Sequence, residues 1–173
     1  NGQGHETVYA QYLADLTGLP FDAIEVVQGD SDRIHEGGGT GGSRSVTVQS
    51  VATLGTAQAM VAAFSTFLQD EIAAAPVTFA EGIFSAPGSN NRLPLLEAAD
   101  LARARGRTDL LRHEKRSKLP GRSFPNGAHL CEVEIDPETG ALVLDRYTVV
   151  DDLGDVMHPQ LAEGQIHGGI AQG

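Results

Sequence analysis

Thirty residues from Val46 to Ala75 pass without a proline, and within them Val51, Leu54, Val61, Phe64, Leu68 and Ile72 recur at spacings of three, four and seven. That spacing lays one apolar stripe along a long α-helix, which Pro76 closes. A helix with a single apolar stripe has to bury it against a second layer, so the neighbouring segments decide the fold class.

Those segments are mixed. A shorter helix is predicted from His5 to Leu16, where Val8, Tyr12, Leu13 and Leu16 share a face and Gly18 and Pro20 stand ready to end it. Phe21 to Gln28, with Ile24, Val26 and Val27, reads as a strand stopped by Gly29-Asp30, and Val77 to Ala86 reads as another. Pro94 sits where a helix carrying Leu95, Leu96, Ala99 and Ala102 begins, ahead of Gly106. Two strand-like runs, Ala128 to Ile135 and Ala141 to Val150, are joined by Asp136-Pro137-Glu138-Thr139-Gly140, a hairpin pattern. A Gly-spotted helix from Leu161 to Gln172 follows Pro159. Eight of the twelve basic residues lie between Arg103 and Gly127, and residues 107–127, with Pro120 and Pro125, read as a solvated internal linker. The expected class is α+β. At about 150 residues per domain, 173 residues make one domain or a part of one. Asn1 opens inside a Gly-Gln-Gly stretch and Gly173 closes what reads as an unfinished helix, so both ends read as cuts.

Charge and cysteine content narrow the function. Twelve Lys and Arg against 23 Asp and Glu give a net charge of −11, which opposes the counterion-release binding that holds nucleic acid. No uninterrupted apolar run reaches the roughly 18 residues of a membrane span, so none is predicted. Cys131 is the single cysteine, which leaves no disulfide framework and no multi-cysteine metal site, in keeping with a reducing, cytoplasmic compartment. It alternates with Val133 and Ile135, a spacing that predicts a buried strand position rather than a nucleophile. His5, His35, His113, His129, His158 and His167 show no zinc spacing, and Gly29-Asp30-Ser31-Asp32 lacks the further oxygens of a calcium loop, so no metal ligand is assigned.

The chemistry concentrates in glycine-rich segments that run into helices. Residues 29–45 hold six glycines, and Gly37-Gly38-Gly39-Thr40-Gly41-Gly42-Ser43-Arg44-Ser45 leads directly into the long helix. Backbone amides without a neighbouring Cβ approach an anion closely, a helix start adds unpaired donors and the positive dipole end, and Arg44 offers a guanidinium fork to phosphate. Gly37, Gly39 and Gly42 formally match the dinucleotide fingerprint, but the tight strand-turn-helix is missing, and the Walker pattern fails because Arg44 stands in place of its Lys with the wrong Gly spacing. A second motif, Gly2-Gln3-Gly4-His5-Glu6-Thr7, repeats the same physics with an amide at its centre that both donates and accepts. Read from the residues alone, the pair describes either a large phosphorylated cofactor or a non-catalytic module that binds a phosphorylated ligand or partner peptide.

Five motifs in order carry a resemblance. Gly2-Gln3-Gly4-His5-Glu6-Thr7, Gly39-Thr40-Gly41-Gly42-Ser43-Arg44-Ser45, Phe124-Pro125-Asn126-Gly127-Ala128-His129, Glu132-Val133-Glu134-Ile135-Asp136-Pro137-Glu138-Thr139-Gly140 and Gly164-Gln165-Ile166-His167-Gly168-Gly169 resemble the molybdenum hydroxylases, the family of xanthine dehydrogenase, aldehyde oxidase and aerobic carbon monoxide dehydrogenase. The wording is nearest to the bacterial molybdopterin-binding large subunit, and the resemblance spans nearly all of residues 1–173, which would then be part of a molybdopterin cofactor-binding domain.

By that resemblance Gly2, Gln3 and Gly4 lie against the pterin and its molybdenum end, Gly42, Ser43, Arg44 and Ser45 bind the pyrophosphate of a molybdopterin dinucleotide, the cytosine form being expected, and Gln165 also reaches the cofactor. The family oxidises a small-molecule substrate with water-derived oxygen and passes two electrons to iron-sulfur clusters and FAD on partner chains or domains, which implies a hetero-oligomer. Its catalytic Glu falls in a Gly-Glu motif that has no counterpart before Gly173. Relatives often carry Asn before Pro where this chain has His158-Pro159, and a small residue or Cys where it has Leu153, so the hydrogen bonds of that turn are in question.

Overall fold

The computed structural model describes residues 2–34, 36–72, 76–88 and 90–173. Asn1, His35, the expected last turn of the long helix at 73–75, Ser89 and the side chain of Ile72 lie outside that description. Two units separate in the chain, Asn1–Pro120 and Gly121–Gly173.

The first unit is built on α1 (His5–Thr17) and α2 (Ser45–Ile72). Gly18 ends α1 in the left-handed conformation its lack of a Cβ permits, with its amide donating to the Ala14 carbonyl. Val8, Ala10 and Thr17 are the buried residues of α1, and Thr17 is tolerated inside because its hydroxyl donates to the Leu13 carbonyl at 2.6 Å. α1 packs on α2. Over 28 residues the apolar stripe of α2 meets different partners. Ala57, Phe64, Phe67 and Leu68 are buried, whereas Leu54, expected on that stripe, is exposed.

A three-stranded antiparallel meander follows: β1 (Thr78–Ala80), β2 (Ile83–Ser85) and β3 (Arg92–Pro94). Val77 to Ala86 is a tight hairpin rather than one strand, because Glu81 and Gly82 both adopt positive φ, 49° and 76°, and reverse the chain. Phe21 to Gln28 is no strand at all. Phe21–Ala23 makes one 3₁₀ turn, and the following residues form no ladder with any described strand. Ile24, Val26 and Val27 spend their apolar surface on a cleft wall instead.

Pro94 precedes α3 (Leu95–Ala104), whose buried face is Leu95, Ala98 and Ala102, while Leu96 turns to solvent. A second 3₁₀ turn, Thr108–Leu111, buries Leu110. Together with Phe64, Phe67 and Leu68 of α2, Val77, and Phe84 of β2, these residues form one apolar cluster. Phe84 lies between Phe79 and Phe64, with ring centroids at 4.6 and 5.9 Å. At its edge Arg105 grips Glu71 with two parallel hydrogen bonds of 2.9 and 2.8 Å, which holds the Glu71 carboxyl below its usual range. By length and composition alone the 45–71 stretch of α2 is long and apolar enough to cross a bilayer, with a mean hydropathy of 1.4, because single polar residues interrupt it without lowering the average.

The second unit is a hairpin and a helix: β4 (Asn126–Ile135), β5 (Leu142–Asp152) and α4 (Pro159–Gln172). The register runs from Asn126 opposite Asp152 to Ile135 opposite Leu142, with a bulge at Glu132/Val133. Asp136 makes the reversal, its carboxylate accepting from the amides of Glu138 at 2.8 Å and Thr139 at 3.3 Å. Cys131 corrects the sequence reading, since it is exposed. A lone antiparallel pair has two faces, and no described residue of this unit is buried, so alternation along β4 has no layer to turn toward.

Candidate functional site

Both glycine motifs of the first unit become open helix starts. In α1 the first amide to donate four residues back is that of Val8, to the Gly4 carbonyl at 3.0 Å, and Gly4 supplies no side-chain cap. The amides of His5, Glu6 and Thr7 therefore stand ahead of the hydrogen-bond ladder. In α2 the first such amide is that of Val48, to Arg44 at 2.9 Å, which leaves Ser45, Val46 and Thr47 in the same position. Gly42 and Ser43 turn the chain into α2 with φ of 68° and 51°. For a serine that conformation costs roughly 1 kcal/mol or more, the kind of local strain that collects at ligand-holding turns. The Ser45 hydroxyl donates to Thr40 Oγ at 3.2 Å and ties the loop to the helix start.

The two starts open on one cleft of about 1180 Å³, above the usual range for small-ligand pockets. His5 and Tyr9 of α1 contribute to it, as do Gly37, Gly38, Gly39 and Thr40 of the loop, and Arg44 and Ser45 of α2. His5 and Tyr9 stack one turn apart at 5.0 Å, and partial burial pushes the Tyr9 phenol pKa up, keeping it a neutral donor. A Cβ placed on Gly38, Gly39 or Gly41 would meet no atom within 4 Å, so packing within the chain does not demand these three glycines, whereas close approach of a ligand to their backbone would. Gly42 is demanded by its own φ of 68°.

Two carboxylates of the cleft are paired with arginines, Glu25 with Arg33 at 3.5 Å and Glu36 with Arg116, while Asp30 accepts from the Asp32 amide at 3.0 Å in a turn. The guanidinium of Arg44 has no hydrogen bond or ion pair with a described residue. Among the described residues no group of three His, Cys, Asp or Glu is placed to hold a metal ion.

Of the residues singled out in the sequence, Arg44 and Ser45 line the cleft. Gly4 is the cap of α1, directly before the cleft residue His5, and Gly42 and Ser43 form the turn before Arg44. Gly2, Gln3, Gly4, Gly42 and Ser43 are not themselves among the lining residues. Gln165 lies in the second unit, exposed on α4. Sequence reasoning missed Tyr9, Gln49 and Lys118, all cleft residues. The i to i+4 spacing of His5 and Tyr9 on a helix that starts at Gly4 was the available signal for Tyr9. Nothing local marks Lys118.

The family model described as "Molybdopterin cofactor-binding domain" matches residues 1–173. The chain belongs to that family. It stands among the molybdenum hydroxylase large subunits, as its ordered motifs suggested. It is 33% identical to the nicotine 6-hydroxylase large subunit of Paenarthrobacter nicotinovorans and 32% identical to the carbon monoxide dehydrogenase large chain of Hydrogenophaga pseudoflava, in each case over 99% of this chain and 22% of the relative. It superposes with a TM-score of 0.77 and 31% identity on a crystal structure of Cu,Mo-CO dehydrogenase in its carbon monoxide reduced state, covering 97% of this chain and 22% of that one. The chain thus spans about a fifth of the length of these relatives, and its α+β architecture is that of the matched region.

In this molybdopterin-binding domain the His158-Pro159 turn and the Phe124–His129 motif gain local explanations. At His158-Pro159, where Asn was expected, His158 caps α4 by accepting the Leu161 amide on Nδ1 at 3.3 Å, so the ring serves the turn as an Asn side chain would. In the Phe124–His129 motif, a Cβ on Gly127 would collide with the Asp151 carboxylate. That carboxylate lies 3.3 Å from His129 Nε2, and His129 Nδ1 lies 3.2 Å from the Tyr147 hydroxyl. Gly127 makes room for the group that fixes the ring.

Proposed function

We propose that this domain grips a molybdopterin dinucleotide, the cytosine form, for a molybdenum hydroxylase. The observation that carries the reading is the shared cleft: two helix starts whose first amides stand ahead of the hydrogen-bond ladder, a glycine loop whose missing side chains leave open space, and in its wall an Arg44 whose guanidinium has no partner among the described residues.

Each group has a role its chemistry supports. The amides of Ser45, Val46 and Thr47, with Gly42 and Ser43 before them, hold the diphosphate, and Arg44 neutralises it by charge-assisted hydrogen bonds. Gly2, Gln3 and Gly4 support the pterin end, where the Gln3 amide is able to pair with a donor and an acceptor together. For Gln165 the assignment to the cofactor rests on its Gly-Gln-Ile-His-Gly-Gly motif. When bound, the cofactor supplies the two-electron oxidation of a small substrate with water-derived oxygen. This chain's residues bind and orient it, and iron-sulfur and flavin partners in a cytoplasmic hetero-oligomer take the electrons.

Metal analysis and mass spectrometry of the nucleotide released from the intact full-length subunit test this. Equimolar molybdenum and cytidine monophosphate are expected. A purified, active subunit that yields neither would refute the reading.

A further inference from the structure

The basic segment after α3 does not drift away from the cleft. His113 lies against Phe64, with ring centroids at 6.3 Å, and its Nε2 is 2.8 Å from the Leu110 carbonyl. Next, the chain crosses α2 at Gly55, where an added Cβ would stand 3.1 Å from Ser117 Oγ and 3.3 Å from Lys115 Cγ. A glycine in a helix interior is ordinarily unfavourable, and here it lets the crossing segment sit close. Arg116 then pairs with Glu36, a residue of the cleft wall in the glycine-rich segment. Two attachments to α2, at Phe64 and Gly55, and one to the glycine-rich segment at Glu36 thus deliver Ser117, Lys118 and Leu119 into the lining of the cleft that also holds Arg44. Arg116 is spent on Glu36, but Lys118 is exposed and its ammonium has no hydrogen bond or ion pair with a described residue.

We propose that Lys118 is a second phosphate contact of this cleft, presented on a strap of residues 112–119 and acting with Arg44 on the same diphosphate. The inference rests on the reading of the cleft as a dinucleotide site and adds a residue that lies outside every glycine motif. An ammonium works there as a point charge without a fixed fork, so it tolerates several phosphate positions and keeps most of its effect when replaced by Arg. Its contribution is electrostatic and weakens with salt.

The test uses the full-length large subunit purified with its cofactor, and follows cytidine nucleotide retained during dialysis against rising salt, by mass spectrometry of the released nucleotide. Lys118→Ala and Lys118→Gln are expected to lose nucleotide roughly tenfold faster than wild type, the size of one charge-assisted contact, while Lys118→Arg restores retention. Arg112→Ala, which removes a nearby charge outside the cleft, is expected to match wild type. Wild-type retention in both Lys118→Ala and Lys118→Gln would overturn the proposal, as would equal loss from Arg112→Ala, which would mean that bulk charge alone matters. A wild-type subunit carrying no nucleotide would instead overturn the dinucleotide reading itself, and this proposal with it.

Discussion

Gly18 and Gly82 meet backbone against backbone: a Cβ on Gly18 would stand 2.6 Å from the Gly82 nitrogen, and one on Gly82 would stand 2.9 Å from the Thr17 carbonyl oxygen. Both residues have positive φ, 69° and 76°. The contact locks the end of α1 onto the β1–β2 turn and so fixes the direction in which α1 presents its first turn to the cleft. Gly18→Ala combines a left-handed alanine with an unavoidable collision, and we expect it to destabilise the first unit by about 2–4 kcal/mol. Faster hydrogen exchange across α1 in the full-length subunit is the measurement, and unchanged protection would contradict the contact.

That pairing also marks where sequence reading stops. Gly18 announced the end of α1 by its place after an apolar stripe, and the Asp136–Gly140 reversal announced the hairpin, because both signals are local. Gly82 carried no comparable signal, since Glu-Gly is not one of the dipeptides that favour a two-residue reversal, and Val77 to Ala86 read as one strand. Phe21 to Gln28 has strand composition, but a strand exists only where a partner offers a ladder. Cys131 alternates as a buried residue would, yet burial is decided by a covering layer that its own unit does not supply. The site divides the same way. Arg44 and Ser45 were legible from a glycine loop feeding a helix, whereas Lys118 enters the cleft through tertiary attachments more than sixty residues beyond α2's start.

The hairpin turn is expected to respond to acid. Hydrogen bonds to the Asp136 carboxylate from the Glu138 amide first, and then from Thr139, hold its pKa below the ordinary value. A depressed folded pKa means the turn is fully supported above the unfolded aspartate value near 3.9 and loses that support as pH falls through the lower folded value. Amide exchange at Glu138 and Thr139 in the full-length subunit should quicken over that acidic window, after correction for intrinsic rates. Asp136→Ala should show the quickened exchange already at neutral pH, and protection equal to wild type would count against the carboxylate.

His158 substitutes for a residue type that usually caps such turns. Losing the Nδ1 acceptor for the Leu161 amide in His158→Ala should cost about 1 kcal/mol, read as fraying of the first turn of α4 by hydrogen exchange. His158→Asn should restore protection, because its side-chain oxygen accepts from the same amide. Failure of Asn to restore it would show that the ring does something other than cap.

Gln3 is half-buried, and its amide has no hydrogen bond with a described residue. Gln3→Ala in the full-length enzyme should therefore change stability by less than about 1 kcal/mol while lowering turnover roughly tenfold or more, the loss of one oriented hydrogen bond in the transition state. Full activity would remove Gln3 from the site.

The most direct measurement compares wild-type full-length subunit with Arg44→Ala for bound cytidine nucleotide and molybdenum after identical purification. A charge-assisted phosphate contact of about 1.5–3 kcal/mol predicts retention weakened by roughly 10-fold to 150-fold, with nucleotide and metal lost together and α2 still protected from exchange. Arg44→Ala retaining both at wild-type stoichiometry would contradict the claim that this cleft holds the diphosphate.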